Sequence, residues 1–221
     1  MNASLIRGAV LGCGVLLLAA CQQPTISDDT AGSGLAEVRY SGMDSARADP
    51  GVDFTGYRNV VIEDIGFDRL KIVEPSTYSP RYGKFTLDDN DKALLRKAYR
   101  ERVAAALPKA GLTASDNASA GSLRLVSELV KLEPNAPREK DERFGASARN
   151  DTYTRGAGSL TLEAKLIDAA SGKTVATMKD KITDAEVWGQ NNPVTNRAAV
   201  QRAFTQWAAK LGSQLQAFRA R

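Results

Sequence analysis

The chain has 221 residues, with 30 Lys and Arg against 26 Asp and Glu, a formal charge of +4, and no histidine. The missing imidazole excludes Ser-His-Asp and Cys-His catalysis, the commonest general base, and nearly every zinc or copper site. Its 43% apolar content is normal for a globular protein, the length fits one domain plus a tail, and the basic excess is interspersed rather than clustered, which argues against a nucleic-acid partner.

The amino terminus reads as a secretory signal over residues 1–20. Arg7 supplies the positive start, Gly8–Leu18 the apolar run, and Ala19 and Ala20 the small residues before Cys21. The run is too short to span a bilayer, which takes ~20 apolar residues. Leu18-Ala19-Ala20-Cys21 resembles the bacterial lipobox. The resemblance implies that signal peptidase II recognises Leu18, Ala19 and Ala20, that Cys21 carries a diacylglycerol thioether, and that the new amino terminus is acylated, for example with palmitate. Two or three chains at ~0.8 kcal/mol per buried CH₂ hold a protein permanently. Gln22, which follows, implies sorting to the outer membrane, where Asp would imply retention in the inner one. Cys13 leaves with the signal and Cys21 is lipidated, so no disulfide remains and stability rests on a packed core. Loss of Arg7 takes the formal charge from +4 to +3.

Residues 21–53 are rich in Ser, Asp, Gly, Thr and Ala and read as a lipidated flexible tether with a coil span of about 30 Å, with Tyr40-Ser41-Gly42-Met43 as a stretch able to dock. Tyr57–Ile65 is β-branched and reads as a first, central strand. The connection Gly66–Phe85 holds a short extended piece near Leu70 and Ile72, then Pro75, Pro80, Gly83 and the aromatics Tyr78 and Tyr82. A helix starts at Thr86, which caps the Asp89 amide; Leu87, Leu94, Leu95, Ala98, Val103 and Leu107 make its apolar stripe, and Gly111 closes it. The competing reading of its acids as a calcium loop fails, because an EF-hand count from Asp89 places Leu94 at the glycine position and Arg100 at the bidentate Glu position.

Ser122–Leu132 is a second strand whose broken alternation implies a bulge. The charged stretch Glu133–Gly158 reads as a solvated loop, and Gly156-Ala157-Gly158 lacks the helix and Lys-Ser/Thr pair of a phosphate loop. Ser159–Ile167 and Lys173–Ile182 alternate cleanly about the turn Asp168–Gly172 and form a hairpin. Thr183–Asn192 is a loop carrying Trp188. Pro193 and Thr195 open the last helix, Asn196–Arg219, with Val200, Phe204, Trp207, Leu211, Leu215 and Phe218 spaced by three and four.

Over Tyr40–Leu215 these elements resemble a proteobacterial lipoprotein family, domain of unknown function 3313. The resemblance rests on Tyr40-Ser41-Gly42, the strand at Tyr57–Ile65, Gly156-Ala157-Gly158-Ser159-Leu160, Leu166-Ile167-Asp168, Ser171-Gly172-Lys173 and the helix around Trp207. Met43 departs from the aromatic expected after Ser-Gly. The family implies no activity and no catalytic residue. A looser similarity is to envelope αβ lipoproteins serving secretion, cell-wall synthesis or transport.

The order β-α-β-β-β-α predicts an α+β two-layer sandwich: a mixed sheet of about four strands with two long helices on one face, forming a single periplasmic domain over 54–221. A crossover helix makes the first two strands parallel. The loops after strands one, two and four then leave from one end and the tether arrives at the other. Long irregular loops are often functional, so Tyr78, Tyr82 and Trp188 are the expected partner contacts. The expected function is a membrane-anchored binding or accessory subunit of the envelope, without cofactor or metal and not an enzyme. The alternatives are a small-ligand or cell-wall-binding lipoprotein, which needs a concave apolar pocket, and a carboxylate-based hydrolase, which needs two acids ~5–10 Å apart in a cleft.

Overall fold

The computed structural model describes residues 24–30, 34–75, 84–136, 153–185 and 187–220. Its strands are Thr25–Thr30 (β1), Ala36–Arg39 (β2), Ser45–Ala48 (β3), Asn59–Ile62 (β4), Lys71–Ile72 (β5), Thr113–Ser115 (β6), Ser122–Pro134 (β7), Tyr153–Arg155 (β8), Gly158–Asp168 (β9), Thr174–Thr183 (β10) and Trp188–Gln190 (β11). The helices are Asp89–Ala106 (α1) and Pro193–Arg219 (α2). Nine strands form one mixed sheet in the order β1-β2-β3-β10-β9-β7-β4-β6, with β5 also against β7; β8 and β11 form a separate two-stranded ribbon. The α+β class with two helices holds, but the sheet is more than twice as wide as the four strands expected.

The centre follows the sequence. Alternation in β9 and, from Ala176 on, in β10 puts Leu160, Leu162, Ala164 and Leu166 on one face with Ala176, Met178 and Ile182, all buried. The antiparallel neighbour β7 adds Leu123, Leu125 and Leu129, and the parallel neighbour β4 adds Val60 and Ile62. The broken alternation of β7 is a bulge between Leu129 and Lys131, which keeps Leu132 on the same face as Leu129 and Leu160.

Both helices lie on this apolar face. From α1, Tyr99 packs edge-on to Phe204 and beside Trp207 of α2, and its hydroxyl shares a 2.5 Å hydrogen bond with Ser127 of β7. The cap of α1 is Asp88 rather than Thr86: the Asp88 side chain accepts from the Asp91 amide and Asp91 reaches back. These two acids of the would-be calcium loop therefore serve a capping box. α2 opens at Pro193, as the sequence reads, with Asn192 as its cap.

The stretch 21–53 is corrected. Its described part is a three-stranded meander, β1 to β3, that extends the sheet from the β10 edge. Ile26, Ala36, Val38, Ala46 and Ala48 are buried on the helix face. Its turn docks as well: Met43 packs against the core, and the Ser41 carbonyl accepts from the Gln214 side chain of α2. Asp180, itself buried, accepts from the Asp44 amide and pairs with Lys210 of α2 at 2.7 Å, joining the meander, β10 and the helix.

The opposite face of the sheet has no helix against it among the described residues. It carries Arg47, Arg124, Glu128, Lys131, Glu133, Glu163, Lys165, Lys179 and Lys181 at the alternate positions of β3, β7, β9 and β10. None of the described helices is long and apolar enough to cross a membrane.

Candidate functional site

Strands β4, β7 and β10 run in one direction, so the connections that follow them leave from one end of the sheet. The chain after β4 does not leave at once. Gly66 bridges to Glu128, and the Val73 amide donates to the Leu132 carbonyl, so residues 63–73 track β7 to its far end. There the connections after β7 and β10 interlock. The Asn135 amide donates to the Ala157 carbonyl, the Gly156 amide to the Val187 carbonyl, and the Asp184 amide to the Gly158 carbonyl.

Gly156-Ala157-Gly158 makes this crossing possible. Gly156 has φ +67° and a Cβ there would lie 2.6 Å from the Ala185 carbonyl oxygen; Gly158 has φ +127° and a Cβ there would overlap the Glu133 carbonyl. Only glycine tolerates both conditions. Asp184 anchors the junction: its carboxylate accepts from the Ala157 amide and from the Arg202 guanidinium of α2. Burial pushes the Asp184 carboxyl up, but Arg202 and the Ala157 amide outweigh it and hold the group below the usual carboxylate range.

On this platform stands the β8–β11 ribbon. Tyr153 faces Gln190 and Arg155 faces Trp188, so these four side chains share one face. The reverse face is tied down through Thr154, which accepts from the Asn191 side chain. The free face is exposed: Trp188 is 67% and Tyr153 50% accessible, with Val187 at 71% beside them and Val194 of the first turn of α2 at 76%. Asn192 both caps α2 and follows β11, which places that first turn next to the ribbon.

Two other places hold clustered charge. On the sheet face opposite the two helices, Glu133 lies 2.8 Å from Lys131 and 2.7 Å from Lys181. Lys131, Lys181 and the Ser159 hydroxyl hold its carboxyl down to about 2. Glu163 binds Lys179 and Arg69, and Arg69 also binds Glu128. Between the β4–β5 connection and α1 is an open groove of about 330 Å³ lined by Asp64, Phe67, Asp68, Lys92 and Arg96, with Arg96 over the Phe67 ring. At the other end of the sheet, Asp168 accepts from the Tyr57 hydroxyl and from the Ser171 amide and hydroxyl. Those bonds hold the turn before β10 and account for the Asp168 and Ser171-Gly172-Lys173 signature as structure.

Of the residues singled out from sequence, Leu18, Ala19, Ala20, Cys21, Gln22, Tyr78 and Tyr82 lie outside the described residues. Trp188 is at the expected end and on the surface. Tyr153, Arg155 and Val194 were missed. The alternation Tyr-Thr-Arg before Gly156, facing Trp-Gly-Gln, was the available signal. Two strands of three residues are too short for periodicity to mark.

Among solved structures the chain is similar to PelC from Paraburkholderia phytofirmans, solved as a dodecamer (10% identity, 75% of this chain and 96% of that one, TM-score 0.38). It is also similar to a Xanthomonas campestris protein of the DUF330 family (13%, 76% and 88%, TM-score 0.41), and to a Caulobacter crescentus protein provisionally classed as a lipoprotein (12%, 76% and 93%, TM-score 0.37). No curated protein sequence matches it. The family described as protein of unknown function, DUF3313, matches residues 27–211, from the first strand of the meander to the last third of α2, and the chain belongs to that family.

Proposed function

We propose that the protein is a lipid-anchored binding or accessory subunit of the bacterial envelope, held at the outer membrane through Cys21 with its domain in the periplasm, and not an enzyme. Leu18-Ala19-Ala20-Cys21 and Gln22 support the anchor and its sorting. The observation that carries the binding role is the sheet face that no described helix covers, where the cations Arg47, Lys131, Lys165, Lys179 and Lys181 are mixed with the carboxylates of Glu128, Glu133 and Glu163. Interspersed charge of both signs on a rigid sheet suits a polar protein partner, since it sets register and rejects mismatched charge. Arg47 and Lys165 are exposed there and are available to a partner's carboxylates.

The test is affinity purification of the lipidated protein from gently solubilised envelopes, with mass spectrometry. A partner in stoichiometric amount is expected, lost in an Arg47→Glu, Lys165→Glu variant. A Cys21→Ala chain is expected to stay as uncleaved precursor and not reach the outer membrane. Recovery of the protein alone overturns the assembly reading. The groove beside Asp64 and Arg96 would then favour the small-ligand or cell-wall-binding reading.

A further inference from the structure

The sheet places the chain's entry and the exposed aromatic ribbon on the same side. β1 is antiparallel to β2, β2 to β3 and β3 to β10, so β1 runs against β10 and begins toward the end where β10 finishes. Thr25 sits opposite Arg39, the last residue of β2. Cys21 lies four positions before Thr25, a reach of about 14 Å at most. A lipid on Cys21 therefore holds the membrane close to the first strand, without the ~30 Å tether that a coil over residues 22–49 would give.

The end turned that way carries the ribbon face of Tyr153, Arg155, Trp188 and Gln190, flanked by Val187 and Val194. Its chemistry is that of a bilayer interface. Trp and Tyr carry an apolar body and a polar tip and concentrate at headgroup level. Arg155 lies directly opposite Trp188 in the ribbon and Arg197 is exposed one turn into α2, which suits anionic headgroups.

We propose that this ribbon end seats on the membrane, with Trp188 and Tyr153 in the headgroup layer, and so fixes the orientation of the domain; the charged sheet face then stands off to the side. This rests on reading Cys21 as the anchor, for which membrane surface is near. It also reverses the expectation that the tether arrives opposite the loops.

The two tryptophans make it measurable, because Trp207 is fully buried. The mature lipidated protein is reconstituted into phosphatidylethanolamine–phosphatidylglycerol vesicles with brominated or ordinary acyl chains. Bromine is expected to quench up to about half of the emission, the share of one tryptophan in two at the interface, and Trp188→Phe is expected to remove the quenching. Equal emission in both kinds of vesicle, with the protein co-floating, overturns the proposal and leaves Trp188 to water or to a protein partner. Failure to co-float overturns it too. The mass of the mature amino terminus tests the anchor separately: an unacylated Cys21 removes that reading whatever the quenching shows.

Discussion

Gly158 and Gly172 both have positive φ, and they separate two costs of a side chain. At Gly172, φ +71°, a Cβ meets open space, so Gly172→Ala carries only the left-handed penalty, about 1–2 kcal/mol. At Gly158 the Cβ also runs into the Glu133 carbonyl and the Pro134 backbone, and neither can move without breaking the β7–β9 pairing. Gly158→Ala is expected to cost about 2–4 kcal/mol by urea unfolding, clearly more than Gly172→Ala; equal costs would refute the crowding argument. Glu133 next to it is set by charge. Its folded pKa of about 2 lies below the ordinary 4.5, so its contribution to stability is present above pH 4.5 and drains away as pH falls toward 2. Lys131 and Lys181 are partly exposed, so solvent screening limits that contribution to on the order of 1 kcal/mol. Glu133→Gln should lower stability at pH 7 by that amount and have only a small fraction of that effect at pH 2, as thermal unfolding at the two pH values would read.

Among the elements, those that repeat a pattern over many residues were legible in the sequence. The β9–β10 hairpin, the bulge in β7, the parallel β4–β7 pair and both helices follow from alternation, its interruption, crossover geometry and the heptad-like spacing of α2. Two of the missed strands, β2 and β3, bury small residues. In Ser45–Ala48 and Ala36–Arg39 the inward side chains are alanines and one valine, and a composition that reads as solvated coil fits close under α2. What fastens the meander is polar and long-range, Asp180 to the Asp44 amide and to Lys210, and separations of 136 and 30 residues leave no local trace. Of the candidate surface only Trp188 was legible, because its ribbon partner, Arg155, lies across a long connection. Asp180→Asn keeps an acceptor for Asp44 but removes the charge facing Lys210, and about 1–3 kcal/mol should be lost. Adding Lys210→Met should recover part of that loss, a coupling that a double-mutant cycle measures; additive losses would mean that the pair does not join the meander to α2.

At the scale of the whole molecule, the meander decides whether the anchor is a leash or a short mount. A flexible tether has no contacts to lose, so replacing Thr25–Ala48 with a Gly-Ser linker of equal length would leave the domain's unfolding temperature unchanged. The structure argues the reverse. The replacement strips the buried Ile26, Val38, Ala36, Ala46 and Ala48 from the core and leaves Ala176–Lys179 of β10 as an unpaired edge. Burial of Ile26 and Val38 alone is worth about 1.5–3 kcal/mol each, and the docked turn at Ser41 and Asp44 goes with them. Against a total stability of roughly 5–15 kcal/mol for an ordinary domain, that loss takes much of the margin, and a bare edge beside an exposed apolar face promotes association. The replaced protein is expected to unfold at a clearly lower temperature and to aggregate. Circular dichroism and size-exclusion chromatography of the full chain would read both effects. An unchanged transition in a monodisperse sample would restore the tether and free the ribbon end from the membrane.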